Sequence, residues 1–145
     1  MTDKSVAQSP NRPVAPSVSS RIASARRGAI AWAVLLFALT SWPSPPRVAL
    51  LSRIPQFDKL VHIGLYSVEA LLLYGAIAWP GRAVFSVLRV LAVTGAMAVW
   101  GAADELHQHW IPGRSMDADD VAADVSGAAL GALVASALSR PRGKG

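Results

Sequence analysis

Apolar residues come in four long runs, and the breaks between the runs carry most of the charge. The first run, residues 28–42, opens directly behind Arg26 and Arg27 and stops at Pro43, Pro45 and Pro46. Proline has no amide donor and clashes with the preceding helical turn, so the helix must end there. The run is shorter than the roughly 20 residues of a typical span. Residues 22–24 lengthen it if Arg26 and Arg27 snorkel. A basic flank ahead of a short apolar core also fits a cleavable signal peptide. The residues that follow lack a clean small-x-small cleavage site, so a retained helix is expected. The second run, about residues 58–79, leads into Pro80-Gly81-Arg82. Such a short turn forces the third helix, about 83–106, to run antiparallel beside the second. Arg89 is its one charge before the polar end and is expected to snorkel. The fourth helix covers about 117–138, where Gly127 and Gly131 form a small-xxx-small face suited to close helix contact.

Composition sharpens this picture. The chain of 145 residues is 52% hydrophobic and 16% charged, against about a quarter charged in soluble domains. The expected fold class is therefore all-α: an integral membrane bundle of four transmembrane helices. Residues 1–20 hold three prolines and no helical period, and read as a disordered arm. Residues 21–139 form the transmembrane domain and 140–145 a basic tail. The net charge of +5 gathers toward the termini, which suits an anionic membrane surface rather than nucleic acid. Arg82 falls on the same side as both termini, while Asp58, Asp104, Glu105 and residues 117–120 fall on the other. By the positive-inside rule both termini are cytoplasmic, in a multi-pass protein of the cell membrane. Arg47, Arg53 and Lys59 on the outer side run against that sorting. The absence of cysteine excludes disulfides, thiolate metal sites and a cysteine nucleophile.

The densest polar stretch, from Asp104 to Asp117, lies where the third and fourth helices meet. Helical spacing then gathers the ionisable residues. Asp58, His62, Tyr66 and Glu69 recur at steps of four, four and three on one face of the second helix. Asp117, Asp120, Asp124, Gly127 and Gly131 share a face of the fourth, and Gly101, Asp104 and Gln108 align on the third. Charges within a span must face the bundle rather than lipid, so the three stripes are expected to converge. At 1.5 Å per residue, His62 lies about 6 Å and Glu69 about 16 Å below Asp58.

Taken together, Asp58-Lys-Leu-Val-His62 with Tyr66, Asp104-Glu-Leu-His-Gln108, Pro112-Gly-Arg114-Ser, Asp120, Gly127 and Gly131 resemble the VanZ-like family of bacterial membrane proteins. The resemblance covers about residues 57–135, with the first helix agreeing only in kind. It implies several membrane helices and an association with resistance to the glycopeptide antibiotic teicoplanin, but it supplies no mechanism. Ile63 stands where the family usually has Phe, and Asp124 where it usually has Asn.

Asp58, His62, Tyr66, Asp104, Glu105, Gln108, Arg114, Asp120 and Asp124 make up the expected polar site. Lys59 and Arg114 are its candidate anion binders. Arg114, with its planar bidentate fork, is expected to pair with Asp104 or Asp120. Asp117 and Asp119 read equally well as caps of the fourth helix. His62 is expected to make an interhelical hydrogen bond rather than to ligate an ion. His107 and His109 are expected to be solvated, and Trp100 and Trp110 to lie at the interface. The first functional reading is a non-enzymatic protein of the cell envelope whose partners are membrane lipids or a cell-wall precursor lipid at the outer leaflet, with no cofactor and no resident metal. The second is a membrane hydrolase using His62 with Asp104, Glu105 or Asp120, around a divalent ion. The third is a small transporter using Glu69 and Asp124, which would have to assemble as a homo-oligomer.

Overall fold

The computed structural model describes residues 16–43, 54–78 and 83–140, and within them four α-helices. These are α1 (Val18–Thr40), α2 (Phe57–Ala76), α3 (Ala83–Gln108) and α4 (Ala118–Leu138). Arg47, Arg53, the Pro80-Gly81-Arg82 turn, most of the N-terminal arm and residues 141–145 lie outside the described residues.

Each helix end has a local cause. α1 opens at Val18, inside the stretch read as an arm, because the Ser17 hydroxyl accepts the Ser20 amide at 3.2 Å and caps the first turn. α3 runs two residues past its expected end, to Gln108. The chain then turns at Pro112-Gly113, where Gly113 has φ 81° and the Arg114 amide bonds the Ile111 carbonyl at 3.1 Å. Proline followed by a left-handed glycine is the type II turn pattern. Asp117 caps α4 by accepting the Asp119 amide at 2.8 Å.

α1, α3 and α4 are each long and apolar enough to cross a membrane. α2 is the helix that carries Asp58, Lys59, His62 and Glu69, and it is also the most enclosed, packing chiefly on α4 and touching α1 and α3 as well. The core runs along it: Tyr66, Ala70 and Tyr74 meet Val93 and Met97 of α3, Ala128 and Ala132 of α4, and Leu36 of α1. The outward faces are just as greasy, with Ile30, Val34, Val87, Leu91, Val99 and Leu133 all exposed. An apolar surface that wide is untenable for a monomer in water and ordinary for a bundle in lipid.

α2 and α4 come into direct backbone contact. A Cβ on Gly127 would be driven into the backbone of Ile63, and one on Gly131 into the carbonyl of Ser67. Backbones touch where no side chain intervenes, which is how small-xxx-small faces hold helices in lipid. The Ser67 hydroxyl adds a 2.8 Å bond to the Gly127 carbonyl. Residues 59, 63 and 67 lie beside 120, 127 and 131, so α2 and α4 run parallel.

The opposite end of α2 holds two arginines that the sequence reading assigned to the membrane surface. Arg26 Nε donates to the Ala76 carbonyl at 3.1 Å. Arg89 does not snorkel outward: its Nη2 donates to the carbonyls of Tyr74 and of Ile77, the latter at 2.6 Å, and its guanidinium lies 3.9 Å above the Tyr74 ring. The last carbonyls of a helix lack intrahelical donors and carry the negative end of its dipole, so a nearby guanidinium is drawn to them.

The glycines separate two kinds of substitution. Gly131→Leu, which must push α4 off the Ser67 carbonyl, is expected to lower stability in detergent by about 3 kcal/mol or more, at the upper end of overpacking costs. Gly95 has nothing within 4 Å of where a Cβ would stand. Gly95→Ala is expected to be neutral or to stabilise by about 0.5–1 kcal/mol through helix propensity. Thermal melts of the purified variants check both, and equal effects would contradict the close approach.

Candidate functional site

Parallel packing puts the N-termini of α2 and α4 side by side, with the C-terminal turns of α1 and α3 beside them. Two positive helix ends face the same small volume, and carboxylates collect there: Asp58 in the first turn of α2, Asp117, Asp119 and Asp120 at the start of α4.

Lys59 is the hub of the outer layer. Its ammonium lies 2.6 Å from Asp117 Oδ2, 2.6 Å from Asp120 Oδ1 and 3.4 Å from Asp58 Oδ2. Asp58 is mostly exposed and forms the rim, whereas Asp120 is largely enclosed. The Lys59 ammonium and the Asp119 amide hold the Asp117 carboxyl below the usual carboxylate range. A depressed value means that the cap is intact at neutral pH and is lost only as pH falls through that value.

One turn deeper, His62 Nδ1 lies 2.8 Å from Asp124 Oδ1, and its Nε2 points toward Asp120 Oδ2 at 3.8 Å. Asp124 is fully buried, and its Oδ2 has no hydrogen-bond partner. Gly101 makes room for it: a Cβ there would stand 2.9 Å from that same oxygen. The expected interhelical role of His62 is met by this bond.

On α3, Glu105 is 1% exposed. Its Oε1 accepts Gln108 Nε2 and its Oε2 accepts the Asp117 amide, each at 2.9 Å. Asp104 is buried too, and accepts the Thr40 hydroxyl at 2.8 Å and the Tyr66 hydroxyl at 3.3 Å. Thr40, which carried no sequence signal beyond its place at the end of an apolar run, ties α1 into the site. Asp104 also forms the polar end of a pocket of about 160 Å³ whose other walls are Phe37, Trp100, Ala103 and His107.

Three sequence expectations are corrected by this geometry. Arg114 pairs with neither Asp104 nor Asp120; the Pro112-Gly113 turn directs it to α1, where its Nη2 donates to the Leu39 carbonyl at 2.9 Å. The cation for Asp120 is Lys59 instead. Lys59 and Arg114 are therefore both engaged within the fold rather than held out for an anion. His107 is not simply solvated: it stacks on Phe37 with ring centroids 5.2 Å apart, and its Nε2 lies 3.2 Å from Ser41 Oγ. His109 is exposed as expected; Trp110 and Trp100 are exposed too, and Trp100 lines the pocket. Glu69 is buried away from the cluster, and its Oε2 has no hydrogen-bond partner.

His62, Glu105 and Asp120 come from three different helices, and a ligand atom of each lies within 4.8 Å of the other two. The sequence named all three among the candidates around a divalent ion, but no two lie close together in the chain, and only the fold brings these three to one place.

If Lys59 is the cation that neutralises the cluster, Lys59→Met should cost roughly 2–4 kcal/mol, somewhat less than removing one partner of a fully buried pair. Adding Asp120→Asn should recover part of that loss, while Arg114→Met should be milder than Lys59→Met. Chemical or thermal unfolding of the four variants checks the order, and a strictly additive double mutant would remove the pair.

A protein-family model described as VanZ/LLP1 matches residues 29–139, which takes in the second half of α1 as well as the stretch that carries the motifs. No curated protein and no solved structure matches the chain.

Proposed function

The chain belongs to the VanZ/LLP1 family, and on that footing we propose that it is a four-span protein of the cell membrane that binds an envelope lipid at its polar end. Both termini are cytoplasmic in this reading. Arg21, Arg26, Arg27 and Arg140 lie at one end of the bundle, and the carboxylates cluster at the other. That distribution is the one the positive-inside rule favours, with the polar site facing outward. α2 counts as the fourth span because its ionisable face is turned to its neighbours while Leu60, Val61, Val68 and Leu71 stay exposed.

The observation that carries the ligand is the pocket beside Asp104. Its walls are mostly apolar, with the His107 ring among them, and its single carboxylate belongs to the buried network through Thr40 and Tyr66. An amphiphile fits such a site, with hydrocarbon against Phe37 and Trp100 and a hydroxyl or amine of the headgroup donating to Asp104. Membrane lipids and lipid-linked cell-wall precursors both offer that chemistry. The teicoplanin-type resistance associated with VanZ-like proteins would follow if the bound lipid is a wall precursor. A second reading, a membrane-embedded hydrolase, draws on the His62–Asp124 pair at 2.8 Å. Turnover of a lipid ester or phosphoester by purified protein, lost in His62→Ala, would put it first.

Two measurements test the proposal. Cysteines introduced singly as Ser5→Cys and Ser115→Cys in this cysteine-free chain should react with an impermeant thiol reagent from opposite faces; reaction from one face only for both would refute the four-span topology. Ala103→Trp, which fills the pocket, should cut co-purifying lipid in native mass spectra several-fold. Ala102→Trp, on an exposed neighbouring position, should leave it unchanged. Equal lipid retention by both variants would remove the pocket as the binding site.

A further inference from the structure

We propose that His62, Glu105 and Asp120 bind one divalent transition-metal ion, of the Zn²⁺ or Mn²⁺ type. The inference stands whether the bundle merely holds its lipid or cleaves it. It departs from the first sequence reading, of a protein without a resident metal, and takes up the divalent ion that the second reading set beside His62.

Three independent features carry it. The first is the donor set. One imidazole and two carboxylates, from α2, α3 and α4, present ligand atoms within 4.8 Å of one another. Donors about 2.0–2.2 Å from a tetrahedral ion sit about 3.3–3.6 Å apart. His62 Nε2 and Asp120 Oδ2, at 3.8 Å, are nearly there. That distance is long for a hydrogen bond and close to right for two groups sharing an ion.

The second is the support behind each ligand. Asp124 Oδ1 takes His62 Nδ1 at 2.8 Å, which fixes the proton on that nitrogen and turns the Nε2 lone pair toward the other donors. Gln108 Nε2 and the Asp117 amide hold the two oxygens of Glu105, each at 2.9 Å. Lys59 holds Asp120 by Oδ1 at 2.6 Å and leaves Oδ2 facing His62. Every candidate ligand is thus held by a partner that is not itself a ligand, the arrangement by which metal sites fix and tune their ligands.

The third is charge. Asp104, Glu105, Asp117, Asp120 and Asp124 gather at this end, and among the described residues the Lys59 ammonium reaches only Asp117 and Asp120 of the five, while Arg114 is turned to Leu39. Asp104, Glu105 and Asp124 are buried, and Asp124 Oδ2 has no hydrogen-bond partner. Uncompensated carboxylates in such a setting are costly. A dication held by neutral His62 and two carboxylates makes a centre of zero net charge, which a low-dielectric site tolerates best. Imidazole with carboxylates suits zinc or manganese rather than the all-oxygen shells of calcium and magnesium.

The test uses the full-length protein purified in detergent, stripped with EDTA and freed of chelator. Titration with ZnCl₂ or MnCl₂ by calorimetry, with elemental analysis after gel filtration, should give one equivalent per chain for at least one of the metals and a rise in melting temperature. His62→Ala and Glu105→Gln should weaken binding at least 100-fold, Asp124→Asn about 10–100-fold through loss of the support to His62. His109→Ala, an exposed imidazole outside the cluster, should leave it unchanged. A readout on the unaltered chain guards against variants that fail to fold: pulsed electron paramagnetic resonance of the Mn²⁺ form should detect one directly bound imidazole nitrogen. Stoichiometry well below one for both metals, affinity unchanged in Glu105→Gln, or bound Mn²⁺ without nitrogen coupling would each overturn the proposal.

Discussion

Everything at the polar end depends on how closely α2 and α4 approach. With Gly127 against Ile63 and Gly131 against Ser67, the two backbones meet without side chains between them. Only at that separation does the short Asp124 side chain reach His62, and Asp120 reach Lys59. In lipid there is little hydrophobic drive to push helices together, so the close contact has to come from shape and from polar bonds. The glycines supply the first, and the His62, Lys59 and Ser67 bonds the second. Separating the helices by the width of one methyl group would disturb both together.

The polar end is also a compromise between two electrostatic demands. Two adjacent helix N-termini call for negative charge, and four acidic residues answer at Asp58, Asp117, Asp119 and Asp120. The interior calls for the opposite, because Asp104, Glu105 and Asp124 are withdrawn from water. Lys59 mediates between the layers, with Asp117 and Asp120 each 2.6 Å away. Its stem crosses partly buried space, which lets the ammonium reach inward from the rim.

The helices and their polar stripes were legible in the sequence because both rest on periodicity along a single chain segment. Four apolar runs gave four helices, and steps of three and four put His62, Tyr66 and Glu69 on one face and Asp120, Asp124, Gly127 and Gly131 on another. What periodicity does not carry is the pairing across helices. Arg114 is the stronger candidate by chemistry, yet one turn at Gly113 sends it to α1, and Lys59 takes its place by position alone. The place of Arg89 about two turns from a helix end points to snorkelling; its real partners, the last carbonyls of α2, belong to another helix. Thr40 was silent for the same reason. Glu105 shows the limit most clearly: its neighbours in the chain scatter around α3, and its grouping with His62 and Asp120 exists only in the folded bundle.

The repeat of four on α4 has a further consequence for how uniquely the chain folds. Gly127 and Gly131 lie one turn apart, and so do Ile63 and Ser67, their opposite numbers on α2. Sliding α4 by one turn would bring Gly127 beside Ser67, preserving one close contact, so steric fit by itself is nearly degenerate between neighbouring alignments. The ionic pairs are not. The same slip would carry Asp120 away from Lys59 and Asp124 away from His62 in a single movement. The charged residues therefore select one alignment among several that packing would tolerate, much as a lone buried polar residue fixes register in a coiled coil. Neutralising them would leave α2 and α4 in contact but free to choose between rungs.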